Sequence, residues 1–153
     1  MYKRILVPVD GSATSNRGLD EAMALAKAGG ADLHLVHVID LHSFMYASSD
    51  GMVMADATLN SLHEAGRALL ARYEAKITGA GLKVSSGMVD TVAGTVGHAI
   101  VEQAQAFNAD LIVMGTHGRR GVRRLILGSD AATVASLAKV PVLLVRGPES
   151  DKG

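Results

Sequence analysis

Residues 114–134 read MGTHGRRGVRRLILGSDAATV and follow directly on the apolar run Leu111-Ile112-Val113. The stretch holds four glycines, four arginines and one histidine, and it closes on an Ala- and Val-rich run with helical spacing. A buried strand therefore gives way to a loosened, positively charged connection, and only then does a helix begin. A helix start presents unpaired amide donors and the positive end of the dipole. Gly128 lets the backbone approach a ligand closely, and Ser129 either caps the helix or offers its hydroxyl to a phosphate. Gly115 and Gly118 admit the positive φ angles that turn successive amides into an anion-binding nest. Arg119, Arg120, Arg123 and Arg124 surround this backbone with charge. The pattern reads as an oligophosphate site. The plain alternative stays open at this point: glycines that make a turn and arginines that solvate it.

Outward from this stretch, short apolar runs alternate with longer amphipathic ones. Ile5–Val9 and Leu33–Ile39 read as strands, Leu111–Met114 as a fourth and Val142–Val145 as the last. Residues 82–89 alternate Leu82/Val84 against Lys83/Ser85, as a half-exposed edge strand does. Leu19, Ala22, Met23 and Ala26 mark a first helix that Gly29-Gly30 stops. Leu62, Leu69, Tyr73 and Ile77 mark a long one, Val96, Ala99, Ile100 and Phe107 a third, and Ala131, Val134, Ala135 and Ala138 the last. Residues 40–54 read as a loose segment, which is either a lid or partner surface or a loop packed over the core. Strand–helix alternation of this kind predicts an α/β fold, a five-stranded parallel sheet with helices on both faces. With strand order 3-2-1-4-5, a ligand binds between the ends of the first and fourth strands, where the winding reverses. The loops there are Asp10-Gly11-Ser12 and the opening stretch.

At 153 residues, a single domain over 1–147 with a flexible tail at 148–153 is expected. Fifteen basic and fifteen acidic residues cancel, so no global field draws nucleic acid or an anionic membrane, and any anion site is local. The chain has no cysteine, which excludes disulfides, thiolate metal sites and Cys nucleophiles. No apolar run is long enough for a membrane span, and Asp10-Gly11 ends the first run too early for a signal-peptide core; a cytoplasmic location is expected. Val142–Val145 forms an uncharged sheet edge, which a second copy would cover in a homodimer unless the chain's own helices bury it.

Other phosphate motifs do not fit. There is no GKS or GKT, so the loop is not a Walker A, and Val7-Pro8-Val9-Asp10-Gly11-Ser12 lacks G-x-G-x-x-G. The first loop also lacks the Ser-Gly-Gly of adenylate-forming ligases. The two G-x-x-G strings follow a strand rather than join two helices, and aromatics are scarce, which argues against RNA binding. His34 and His37 point to opposite faces of one strand, and His42, His63 and His98 lack partners at ligand spacing. His37 reads as a structural residue at a strand end.

Gly115-x2-Gly118-x9-Gly128-Ser129 resembles the G-x2-G-x9-G-[S/T] signature of the universal stress protein family. Ile5–Ser12, His37–Asp40, Ala109–Gly118 and Pro141–Arg146 resemble that family's first, second, fourth and last strands with their flanks. The resemblance implies a Rossmann-like sheet that binds ATP with Mg, and commonly a dimer through the last strand. It implies that Pro8, Val9 and Asp10 lie at the nucleotide, with Asp10 near the phosphates or their metal. It places Val38 at adenine, Met114 and Gly115 along the ribose and phosphate approach, and His117, Gly118 and Arg119 beside the phosphates. Gly128 and Ser129 would bind the phosphates at the helix start. Asp130 departs from the valine common there; a carboxylate in the first turn suits the free helix but opposes a triphosphate unless a metal intervenes.

No nucleophile with its base and orienting group is visible, so at most slow ATP hydrolysis is expected. The first expectation is a nucleotide-dependent regulatory or stress-response module acting on a protein partner of unknown identity. The alternatives are a slow ATPase or phosphotransferase, and a nucleotide-free dimeric interaction protein.

Overall fold

The computed structural model describes residues 1–47, 56–93, 95–117 and 127–147. The elements run β1 (Arg4–Pro8), α1 (Ala13–Gly29), β2 (Asp32–Asp40), α2 (Leu41–Ala47), α3 (Asp56–Gly79), β3 (Val84–Thr91), α4 (Val96–Phe107), β4 (Leu111–Gly115), α5 (Ser129–Leu137) and β5 (Val142–Val145). The strands form one parallel sheet in the order β3-β2-β1-β4-β5. This is the expected order 3-2-1-4-5.

Both faces of the sheet are covered, which is why the central strands read as unbroken apolar runs. Successive side chains of β1 point to opposite sides. Ile5 and Val7 join Leu33, Leu35, Leu111 and Val113 under α1 and α3, where Leu19, Ala22, Tyr73 and Ile77 close the layer. Leu6 joins Val36, Ile112 and Met114 under α4 and α5, where Ile100, Ala104, Ala131 and Val134 close the other. Each fully buried Leu or Ile adds roughly 1.5–3 kcal/mol of hydrophobic stabilisation.

Helix ends follow local chemistry. The Ser12 hydroxyl accepts from the Ser15 amide at 3.1 Å and starts α1. Gly30, at φ 67°, closes it in the left-handed conformation, as the double glycine predicts. The carboxylate of Asp110 takes the amides of Lys3 and Arg4 at 2.8 and 3.0 Å, tying the start of β1 to the turn before β4.

Two sequence expectations change. The segment from 40 is not loose throughout: Leu41–Ala47 is helical, because Asp40 accepts from both the amide and the hydroxyl of Ser43 and so caps the turn. The rest of that segment, 48–54, and the tail 148–153 lie outside the described residues. On α3 the buried stripe runs Gly66, Leu70, Tyr73, Ile77, with Leu69 only half-buried.

At the opposite end of the sheet from the strand C-termini, His34 stacks on Phe107 with ring centroids 4.7 Å apart, and the Arg4 guanidinium also lies over the Phe107 ring, 4.2 Å from its centroid. Burial, and secondarily the Arg4 charge, hold His34 below its ordinary pKa of 6.5. The folded state therefore keeps this imidazole neutral at a pH where the unfolded chain already binds a proton. Stability from this residue is full above about pH 6.5 and is lost as pH falls below it. Thermal melts from pH 7.5 to 5 are expected to fall less steeply for His34→Gln than for the wild type; parallel curves would exclude His34 as a source of the slope.

Candidate functional site

The winding reverses beside β1, with β2 on one flank and β4 on the other. The C-terminal ends of these strands open into a cleft of about 770 Å³. That volume lies within the roughly 300–1,000 Å³ typical of ligand sites. A smaller hollow, about 240 Å³, sits at the other end of the sheet between Val101, Ala104, Ile112 and Val140, and among the described residues no acid or histidine lines it.

Residues far apart in sequence meet in the large cleft. From β1 and its loop come Pro8, Val9 and Asp10, and from β2 comes Val38. From β4 and α5 come Met114, Gly115, His117, Gly128, Ser129 and Asp130. All ten of these sequence-selected residues line one space. Gly118 and Arg119, together with Arg120, Arg123 and Arg124, lie outside the described residues.

The local geometry explains several of these choices. Gly11, at φ 83°, turns the chain after β1 so that the Ser12 amide reaches Asp10 Oδ1 at 2.8 Å. The Asp10 amide in turn donates to Ser15 Oγ at 3.2 Å, so the loop is held before any ligand arrives. Gly128 caps α5 with φ −59° and donates its amide to the Thr116 carbonyl at 2.9 Å. This bond brings the start of α5 against the end of β4.

Two expectations about this loop need correction. Gly115 has no positive φ; it ends β4, and its role is close packing, since a Cβ there would lie 3.0 Å from the Thr14 carbonyl oxygen. Ser129 does not cap α5; Gly128 occupies that position and Ser129 is the first helical residue. Its exposed hydroxyl makes no hydrogen bond among the described residues, which leaves it available to a ligand beside the helix amides.

Among the described residues, the cleft is lined by three aspartates and by no lysine or arginine. Asp10, Asp40 and Asp130 all line it, with Asp130 in the first turn of α5. His117 is half-buried, and its Nδ1 lies 3.0 Å from Thr116 Oγ1. Among the described residues no group of three or more acidic or histidine side chains gathers to hold a metal. His63 instead pairs with Asp90 at 2.8 Å, and His98 bonds Thr95.

Sequence reading missed the α3 and α4 walls. Leu62, Ala65 and Gly66 line one side, and Thr95, Val96 and Ile100 the other. Thr95 carried a signal, since a Thr before an apolar periodic run is an N-cap, and its side chain does accept from the His98 amide. Gly66 carried one too: an isolated glycine inside a helical pattern usually marks a close approach.

Comparison with known proteins agrees with this architecture. The family model described as the universal stress protein family matches residues 1–146. Universal stress protein MJ0531 of Methanocaldococcus jannaschii is 34% identical over 99% of this chain and 86% of its own length. Among solved structures, that of MJ0577, a protein whose biochemical function was assigned from its structure, superposes with a TM-score of 0.83 at 28% identity, covering 98% of this chain and 99% of the other. A universal stress protein solved in complex with cAMP superposes with a TM-score of 0.66 at 27% identity, covering 96% and 98%. The match spans the whole sheet and every wall of the cleft, and the chain belongs to the universal stress protein family.

Proposed function

We propose that this chain is an ATP-binding regulatory module, a single nucleotide-binding unit over residues 1–147 whose surface changes when the cleft fills. The observation that carries the reading is the junction of β4 and α5. There Gly128 and the uncommitted Ser129 hydroxyl present a helix start to one end of a preorganised cleft. A helix start favours phosphate. The opposite end, beside Leu62, Ala65 and Val38, is apolar enough for a base. A relative of similar fold holds a cyclic adenine nucleotide.

Magnesium fits the residues present. Mg²⁺ is commonly held by one or two carboxylates with the substrate's own phosphates supplying further ligands. Asp10, which lines the cleft, would contribute one such carboxylate, and a cation between Asp130 and the phosphates would relieve their repulsion. No base-activated nucleophile is built into the described part of the cleft, so regulation rather than turnover is the reading we prefer; slow hydrolysis is the second.

Calorimetric titration of nucleotide-stripped protein with ATP is expected to show saturable binding that tightens with Mg²⁺. An Asp130→Ala variant is expected to depend less on Mg²⁺. Absence of binding in both conditions would remove the nucleotide reading and leave the dimeric interaction protein.

The free edge of β5 fits a second copy. Leu143 is 37% exposed on a strand paired only with β4 among the described residues. Sedimentation at micromolar concentration is expected to give twice the 15.9 kDa chain mass, and Leu143→Lys is expected to return the single mass.

A further inference from the structure

Resting on the nucleotide reading, we infer that His37 is a specificity residue whose Nε2 accepts a hydrogen bond from the exocyclic amine of the bound base. The argument begins with the ring's other nitrogen. His37 Nδ1 lies 2.8 Å from the Val9 carbonyl oxygen. A carbonyl only accepts, so Nδ1 carries the proton, and Nε2 of the neutral ring is left as an acceptor.

That acceptor has no protein partner among the described residues, although His37 is only 8% exposed. No sealed side-chain nitrogen or oxygen among the described residues lacks a partner, so Nε2 faces open space rather than packed protein. His37 lines the large cleft, and that is the space it faces.

Gly66 on α3 keeps the ring reachable. A Cβ at this position would stand 2.9 Å from His37 Cδ2 and 2.6 Å from Met88 Sδ. Any side chain there would cover the Cδ2–Nε2 edge. Gly66 itself lines the cleft, so its missing side chain leaves the edge uncovered on the cleft side.

The position in the cleft selects the ligand group. Phosphates belong at the α5 start, beside Gly128 and Ser129. His37 sits on β2 with its ring against Gly66 of α3, the helix whose Leu62 and Ala65 also line the cleft. A base lodged there meets an acceptor. An amino group at the purine 6-position satisfies it, and a 6-oxo group opposes it lone pair to lone pair.

The test compares ATP with purine riboside triphosphate, which differs only in lacking the exocyclic amine. One hydrogen bond corresponds to a preference for ATP of about tenfold. The ratio of the two affinities is expected to fall by about that factor in His37→Phe, which keeps a ring beneath Gly66 but has no acceptor. In ¹⁵N-histidine-labelled wild type, the Nε2 resonance is expected to move on adding ATP and to stay in place with the analogue; this reading does not require the variant to fold. An unchanged ratio in a folded variant, or an Nε2 resonance indifferent to the amine, overturns the role of His37 while ATP binding stands. Failure of the wild type to bind either compound overturns the nucleotide reading and this inference together.

Discussion

A Gly128→Val variant is expected to lose ATP affinity by about 100-fold or more while keeping its fold. The reason is the contact between the cap of α5 and the end of β4. A Cβ at residue 128 would lie 2.9 Å from the Thr116 carbonyl oxygen, closer than real Cβ contacts allow. The same carbonyl accepts the Gly128 amide at 2.9 Å, so neither group can yield without breaking that bond. Valine would push the helix start away from β4 and misalign the amides and the Ser129 hydroxyl. Two charge-assisted hydrogen bonds at roughly 1.5 kcal/mol each account for a loss of about 100-fold. The fold survives because Gly128 is half-exposed and packs against no core side chain; its melting temperature is expected to stay within a few degrees. A folded variant with wild-type affinity by calorimetry would show that the phosphates bind elsewhere.

Gly115→Val is expected to act on the fold itself, lowering stability by about 3 kcal/mol and the melting temperature by roughly 6–12 °C. Here β4 and α1 meet through two glycines. A Cβ at 115 would stand 2.7 Å from Thr14 Cγ2 and 3.0 Å from the Thr14 carbonyl. A Cβ on Gly18 would meet the Gly115 amide at 3.3 Å. Cores lack room for such additions, and the helix has to move as a body. Because the first turn of α1 carries Ser12 and Ser15, which hold the Asp10 loop, displaced α1 also weakens nucleotide binding. Gly79→Ala is the matched control: it has open space around it and no positive φ, so little change is expected. A Gly115→Val protein that melts with the wild type would show that α1 is not held by this contact.

The sequence by itself determined the sheet and the chemistry of one side of the cleft. Covered parallel strands must be apolar on both faces, so Ile5–Val7 and Leu111–Val113 announced themselves, and the alternation of strands and helices made the sheet parallel. Gly30 and Ser12 were legible because caps and left-handed turns depend on the residue itself. The α2 turn was legible in principle through Asp40 and Ser43, but its apolar residues carry too little periodicity in seven positions to announce a helix. What tertiary structure alone decided was what each small or polar residue does. Gly115 looks in the chain like a loop glycine that needs a positive φ; it instead ends β4 packed against Thr14, a contact only the fold creates. His37 looks like a strand-end residue, and only the fold sets Val9 on one of its nitrogens and Gly66 beside the other. Backbone preferences and burial periods are properties of neighbours in sequence. The partner of a side chain is set by crossovers tens of residues long, which no local pattern records.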